Sequence, residues 1–477
     1  MQGIERVLEI FYKLCEIPHG SGNCAKIAEF CARFAAEHGA VAKCDEHSNV
    51  IVFKDGVGEP IAVQAHLDMV CEKNTDVSFD FQNEGIRVKR QGDSIFAEDT
   101  TLGADDGIGV AMCLALLESD IKRPMYVILT SDEETGLVGA DSIDLSAVEA
   151  GKLINLDSEE EGVITVGCAD GYLLCCGINT SVCAVSNVCF DASQNRKNAA
   201  EKRAYRIKVG GLAGGHSGTD IANRDNAIKL LCAVLEKLSG NITLCNIAGG
   251  GRHSAIPRNA EALIIASCNN FIGTFSKILE EVKKGCMENR VSIELEAAEM
   301  PNTTLSFEST EAVIKLLAAL PSGVIKQSEV FENQVETSLN LASVKIKDGT
   351  LSAELMIRSN AEGESEKLAK SLQKICHDNG GNADYRKLYP VWEYRADSLL
   401  AKKAASVYRD MFGKQPDVCT IHAGLECGVL AKKLRNPDCI SIGPDMKGVH
   451  TTNESLSVSS AERVFEYLME LCKAEES

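Results

Sequence analysis

Three apolar runs in the first third of this chain each lead straight into a residue able to bind a cation, and that pattern limits the folds available to it. Residues 61–65 run into His66-Leu67-Asp68, residues 125–130 into Asp132-Glu133-Glu134, and residues 153–156 into Asp157. Short apolar runs bounded in this way are expected to be buried strands, and the helix-like stretch 109–117 lies between the first two. Helical periodicity over 4–17 and 24–38, with short strands at 41–44 and 50–53, precedes them. Strands alternating with helices indicate an α/β fold with a mixed, largely parallel sheet flanked by helices, and such sheets gather ligands at the carboxyl ends of their strands.

The alternation returns near the C-terminus. A helix over 399–412, a strand over 418–421, a helix over 425–434 and a strand over 439–442 lead to His450, and an amphipathic helix over 461–472 follows. If His450 binds beside residues that precede position 160, both ends of the chain form one domain and the middle is an insertion. The expected division is a catalytic domain of 1–185 and 388–477 interrupted by an α+β lid over 186–387. Within the lid, segments 205–209, 226–238, 242–247, 262–267, 271–284 and 291–295 read as β-α-β-β-α-β. A helix-strand-strand-helix-strand series over 311–388 suggests that the unit is doubled. The polar stretch 193–198 is expected to be a linker.

His66, Asp105, Glu134, Asp157 and His450 combine imidazole and carboxylate donors, a set that suits two divalent ions with one water held between them. Zinc is the expected metal, with manganese and cobalt as alternatives. Alternation along a strand turns residues 66 and 68 to the same side, so His66 is expected to bind metal while Asp68 hydrogen-bonds its other ring nitrogen or a neighbouring ligand. Asp105, in Gly103-Ala104-Asp105-Asp106-Gly107, is expected to bridge, because a shared carboxylate offsets the repulsion of two cations. Glu133 and Glu134 face opposite ways in extended backbone; Glu134 then binds metal and Glu133 serves as general base. His216, in Gly214-Gly215-His216-Ser217-Gly218, is expected to hold a developing oxyanion, and Arg358 to fork a substrate carboxylate. His422 and Glu426, spaced like a metal pair on a helix, are assigned to substrate contacts or to support of the ligands.

Composition excludes other classes. A net charge of −20 opposes binding to a nucleic-acid backbone, and no apolar run is long enough to span a bilayer. The N-terminus shows no basic stretch ahead of an apolar block, so a cytoplasmic protein is expected. The 20 cysteines are spread through apolar segments with no C-x-x-C pair, as expected of buried thiols in a reducing compartment.

The segments His66-Leu67-Asp68, Gly103 to Asp106, Asp132 to Gly136, Asp157, Gly215 to Gly218 and His450 together resemble the dinuclear zinc aminopeptidase and carboxypeptidase family that includes aminoacylases, tripeptidases and carnosinases. The resemblance spans nearly the whole chain. It implies that His66 and Asp157 hold one zinc and Glu134 and His450 the other, with Asp105 bridging, Asp68 orienting, Glu133 as base and His216 at the oxyanion. It further implies a small peptide substrate, an unblocked dipeptide such as Xaa-His. Similar enzymes with a small lid borrow the histidine from a partner subunit; a doubled lid supplies it within one chain, so a homodimer stays open. The rival readings are an N-acyl amino acid deacylase of the same family and a catalytically silent metal-binding protein.

Overall fold

A computed structural model describes residues 3–188, 201–267 and 270–473. The chain divides into two compact units, one from residues up to Cys168 and from Tyr389 onward, the other from Ala169 to Leu388. The expected linker at 193–198 lies outside the described residues.

The first unit is built on an eight-stranded sheet. Its strands run in the order Val41–Cys44, Val50–Lys54, Met125–Thr130, Ile61–His66, Lys152–Asn155, Asp438–Ser441, Val163–Cys168 and Asp417–Ile421. Ile61–His66 lies parallel to both its neighbours, and Asp438–Ser441 is parallel to Lys152–Asn155, whereas the pairings at the Val41–Cys44 edge are antiparallel. The sheet is therefore mixed. Every residue of Ile61–His66 is buried, which fits a central strand covered on both faces and explains its unbroken apolar run. Helix Ala104–Leu117, also buried throughout, begins at Asp105 and Asp106 in non-helical conformations, five residues before the expected start.

A small second sheet in this unit was not expected from the sequence. Strands Met446–Lys447, Ser455–Ser457, Ser94–Ala97 and Val88–Gln91 are antiparallel neighbours, and residues 448–454 form the loop between the first two. Strands this short carry almost no periodic signal. Their consequence is large, because that loop bears His450.

The second unit holds a nine-stranded sheet, with Ser292–Ala298, Lys202–Gly210, Ala260–Ser267 and Ile242–Gly250 on one side and Val335–Lys347, Thr350–Ser359, Asp170–Asn179 and Asn382–Tyr389 on the other. Gly323–Gln327 pairs beside Val335–Lys347. In chain order each group of four is strand, helix, two strands, helix, strand, and the two meet where Ile242–Gly250 pairs with Val335–Lys347. The unit starts earlier than the expected 186, because Asp170–Asn179 pairs along its whole length with Thr350–Ser359 and supplies the first strand of the second group. Helices Ala227–Leu238, Phe271–Lys284, Phe307–Ala319 and Glu364–Asp378 share one apolar core with the sheet. Among the described residues no helix is long and apolar enough to cross a membrane, and the described cysteines are free thiols, most of them buried.

Leu355 lies wholly buried in that core. Leu355→Ala is expected to cost about 2–5 kcal/mol in urea denaturation, and a loss under about 1 kcal/mol would contradict the packing.

Candidate metal centre

Parallel pairing places the three strand ends side by side. His66 pairs with Thr130 and Gln64 with Asn155, so His66, the loop 131–137 and Asp157 emerge together at the carboxyl edge of the first sheet. Beneath them lies a buried polar floor. Asn155 Nδ2 donates to Gln64 Oε1 at 2.7 Å, while Gln64 Nε2 and Thr130 Oγ1 donate to Glu426 Oε2 at 2.5 and 2.6 Å. Glu426 is fully buried, and of the two roles expected of it the geometry favours support: its carboxylate props the strand ends from below. Burial pushes its pKa up to about 7. His422 is not on the same helix as Glu426, whose helix runs Glu426–Lys433; it lies in the bend after Asp417–Ile421 and is 8% exposed.

At the strand end, His66 Nδ1 lies 3.0 Å from the backbone oxygen of Asp68. A carbonyl only accepts, so Nδ1 carries a hydrogen and Nε2 is the nitrogen left to bind an ion. Nε2 faces Asp105 Oδ1 at 3.0 Å and Asp157 Oδ1 at 3.6 Å. The other oxygen of Asp105 lies 3.0 Å from His450 Nε2, which is 2.7 Å from Glu134 Oε1. His66 and His450, from opposite ends of the chain, thus meet across one carboxylate. Donor atoms fall into groups within 4.8 Å: His66, Asp106 and Asp157; Asp105, Glu134 and His450; His66, Glu133 and Glu134.

Of the two partners expected for the Asp68 carboxylate, the His66 ring and a neighbouring ligand, the structure has the second. The nearer carboxylate oxygen stands 3.6 Å from His66 Nδ1, beyond hydrogen-bond length, and it is the Asp68 carbonyl that orients the ring. The carboxylate instead accepts from Glu133 N at 2.9 Å, Glu134 N at 3.3 Å and Ser21 Oγ at 2.7 Å. Asp68 therefore fixes the loop that carries Glu133 and Glu134. Burial opposes its charge, but His66, Ser21 and the Glu133 amide together hold its pKa below the usual value.

Sequence reasoning missed three supporting residues. Asp106 Oδ2 accepts the His66 amide at 3.2 Å while Oδ1 is buried without a partner, and nothing in the pair Asp105-Asp106 distinguishes their roles beforehand. Ser21, in an N-terminal loop, has no signal except its place beside two glycines. Glu454 accepts backbone amides of residues 102–105, and only its position four residues after His450 hints at a link.

The electrostatics call for cations. Among the described residues, the ion pairs of Asp105, Glu134 and Asp157 are with imidazoles alone. Burial pushes Asp157 up to about 8 and raises Asp106 and Glu133 well above the carboxylate range. Burial alone would lower His450, but Asp105 and Glu134 raise it to about 11. For Asp105, burial is outweighed by His450 and His66, and its pKa falls. Imidazole nitrogens converging with carboxylate oxygens are the donor set that divalent ions take.

Within the second unit, His216 and Arg358 come together. His216 Nδ1 accepts from the amides of Gly218 and Thr219, both at 3.3 Å, and Nε2 lies 3.1 Å from Arg358 Nη2. Arg358, 2% exposed, also donates to Ser217 Oγ.

The model of peptidase family M20/M25/M40 matches residues 62–474. A curated relative, the cytosol non-specific dipeptidase of Escherichia coli (strain K12), is 33% identical over 483 residues, covering 98% of this chain and 96% of its own. The solved structure of aminoacylhistidine dipeptidase from Vibrio alginolyticus superposes with a TM-score of 0.84 at 29% identity, over 99% of this chain and 97% of that one. A tripeptidase from Staphylococcus aureus shares the fold at a TM-score of 0.61 and 15% identity, over 99% and 98% of the two chains.

At pH 7 the ion-free centre holds protons on His450 and Asp157, whose pKa values of about 11 and 8 lie above that pH. Burial alone would lower His66, but Asp105 and Asp157 raise it, so it too is protonated; an ion must displace these protons, and filling the centre with zinc is expected to release at least two, as read by calorimetry in buffers of different ionisation enthalpy. Uptake without proton release would contradict the arrangement.

Proposed function

The chain belongs to peptidase family M20/M25/M40, and from that premise we propose that it is a metal-dependent dipeptidase acting on unblocked dipeptides, Xaa-His among them. The observation that carries this reading is Asp105, which presents one oxygen to each of two imidazoles. Likeness to the Escherichia coli dipeptidase over nearly the full length of both chains supports the substrate class and a cytosolic setting.

His66 and Asp157 would hold one ion and Glu134 and His450 the other, with Asp105 between them. Two divalent ions, zinc with manganese or cobalt as alternatives, supply Lewis acidity and lower the pKa of water when bound. Glu133 takes the proton of the attacking water and returns it to the departing amine. Burial, reinforced by Asp157 and Glu134, raises its pKa and so its strength as a base. Asp68 holds the backbone of Glu133 and thereby the base's position.

In the second unit, His216 is proposed to stabilise the oxyanion and Arg358 to bind the substrate carboxylate. Arg358 Nη2 donates to His216 Nε2 at 3.1 Å, which sets the guanidinium and the imidazole side by side. A guanidinium beside an imidazole suits an anion. His422 stays a candidate substrate contact.

Zinc-restored protein is expected to hydrolyse Ala-His and to leave N-acetylated amino acids intact; the reverse preference would make it a deacylase. Glu133→Gln should lower kcat by about 10²–10⁴-fold with bound metal unchanged, and parental turnover in that variant would remove Glu133 as the base.

A further inference from the structure

Glu454 has no place among the proposed ligands, yet the residue is 3% exposed and its carboxylate receives four successive amides. Leu102 N and Gly103 N reach Oε2 at 2.7 and 3.1 Å, and Ala104 N and Asp105 N reach Oε1 at 2.8 and 3.4 Å. These amides belong to the turn that presents Asp105. Gly103 holds that turn with φ +71°, and a Cβ there would stand 2.8 Å from Met69 Sδ, so the backbone has little room to find another path.

The other end of Glu454 is equally constrained. Its amide donates to the Thr451 carbonyl at 3.1 Å, Thr451 N donates to the Gly448 carbonyl at 3.0 Å, and Asn453 N donates to Thr451 Oγ1 at 3.2 Å. Residues 448–454 are one tight loop, so His450 and Glu454 move together. A charged acceptor makes stronger bonds to amides than a neutral one, and four of them at a helix start also meet the positive end of the helix dipole.

We propose that Glu454 is a positioning residue that locks the Asp105 turn to the His450 loop and thereby sets the affinity of the ion held between Asp105, Glu134 and His450. This rests on the two-ion reading above. The ion beside His66 and Asp157 depends less on Glu454, because those two residues are placed by the strand ends.

The test is zinc binding to the full-length parent and to Glu454→Gln, by equilibrium dialysis with metal analysis. The parent is expected to take two ions. In the variant the ion beside His66 and Asp157 should weaken only slightly while the other weakens by about 10–100-fold, the usual cost of losing support behind a ligand. If Glu454→Gln does not fold, Glu454→Asp, one methylene too short to span the turn, carries the same expectation. Unchanged affinities, or equal weakening of both ions, would overturn the proposal while leaving the two-ion reading intact; a parent that binds fewer than two ions would overturn both.

Discussion

One carboxylate placed between two imidazoles organises the first unit. Asp105 sets its oxygens 3.0 Å from His66 Nε2 and 3.0 Å from His450 Nε2, and those rings come from a central strand end and from a loop near the C-terminus. Such an arrangement needs both ends of the chain in one unit, as observed, with the second unit carried between them as a continuous insertion. It also gathers acidic groups in a buried space. Carboxylates crowded out of water favour the protonated form, and the upward shifts of Asp157 and Glu133 express that cost, which bound cations would reverse.

The surrounding structure serves to hold these groups against their mutual repulsion. From below, Glu426 is anchored by Gln64 and Thr130, the residues just before the ligand-bearing strand ends. From the side, Asp68 links Ser21 to the Glu133 and Glu134 amides, while Gly22 N donates to Asp132 Oδ1 at 2.5 Å. The N-terminal loop is thus laced to the loop that bears Glu133 and Glu134 at two points. Neutral donors meeting a buried carboxylate supply stabilisation without adding a competing cation.

Strand ends were the most legible part of the sequence, because a buried parallel strand is an unbroken apolar run and His66, Glu133, Glu134 and Asp157 follow such runs directly. The helices 4–17 and 399–412 were legible by period, and the observed Ile4–Cys15 and Leu399–Phe412 lie within or match them. What sequence did not reveal was side-chain direction. Asp68 faces two amides instead of the imidazole, because residues 67–69 have already left the strand that ends at His66. For Glu426 the choice between substrate contact and support stayed open, because its partners, Gln64 and Thr130, lie about 300 positions or more away. The first strand of the second unit's second repeat was missed for a similar reason: Asp170–Asn179 is separated from the strands it joins by the entire first repeat.

The most direct test is anomalous diffraction at the zinc edge from crystals grown with zinc. Two peaks are expected, one on each side of Asp105, the first against His66 and Asp157 and the second against Glu134 and His450. A single peak, or peaks away from Asp105, would contradict the account.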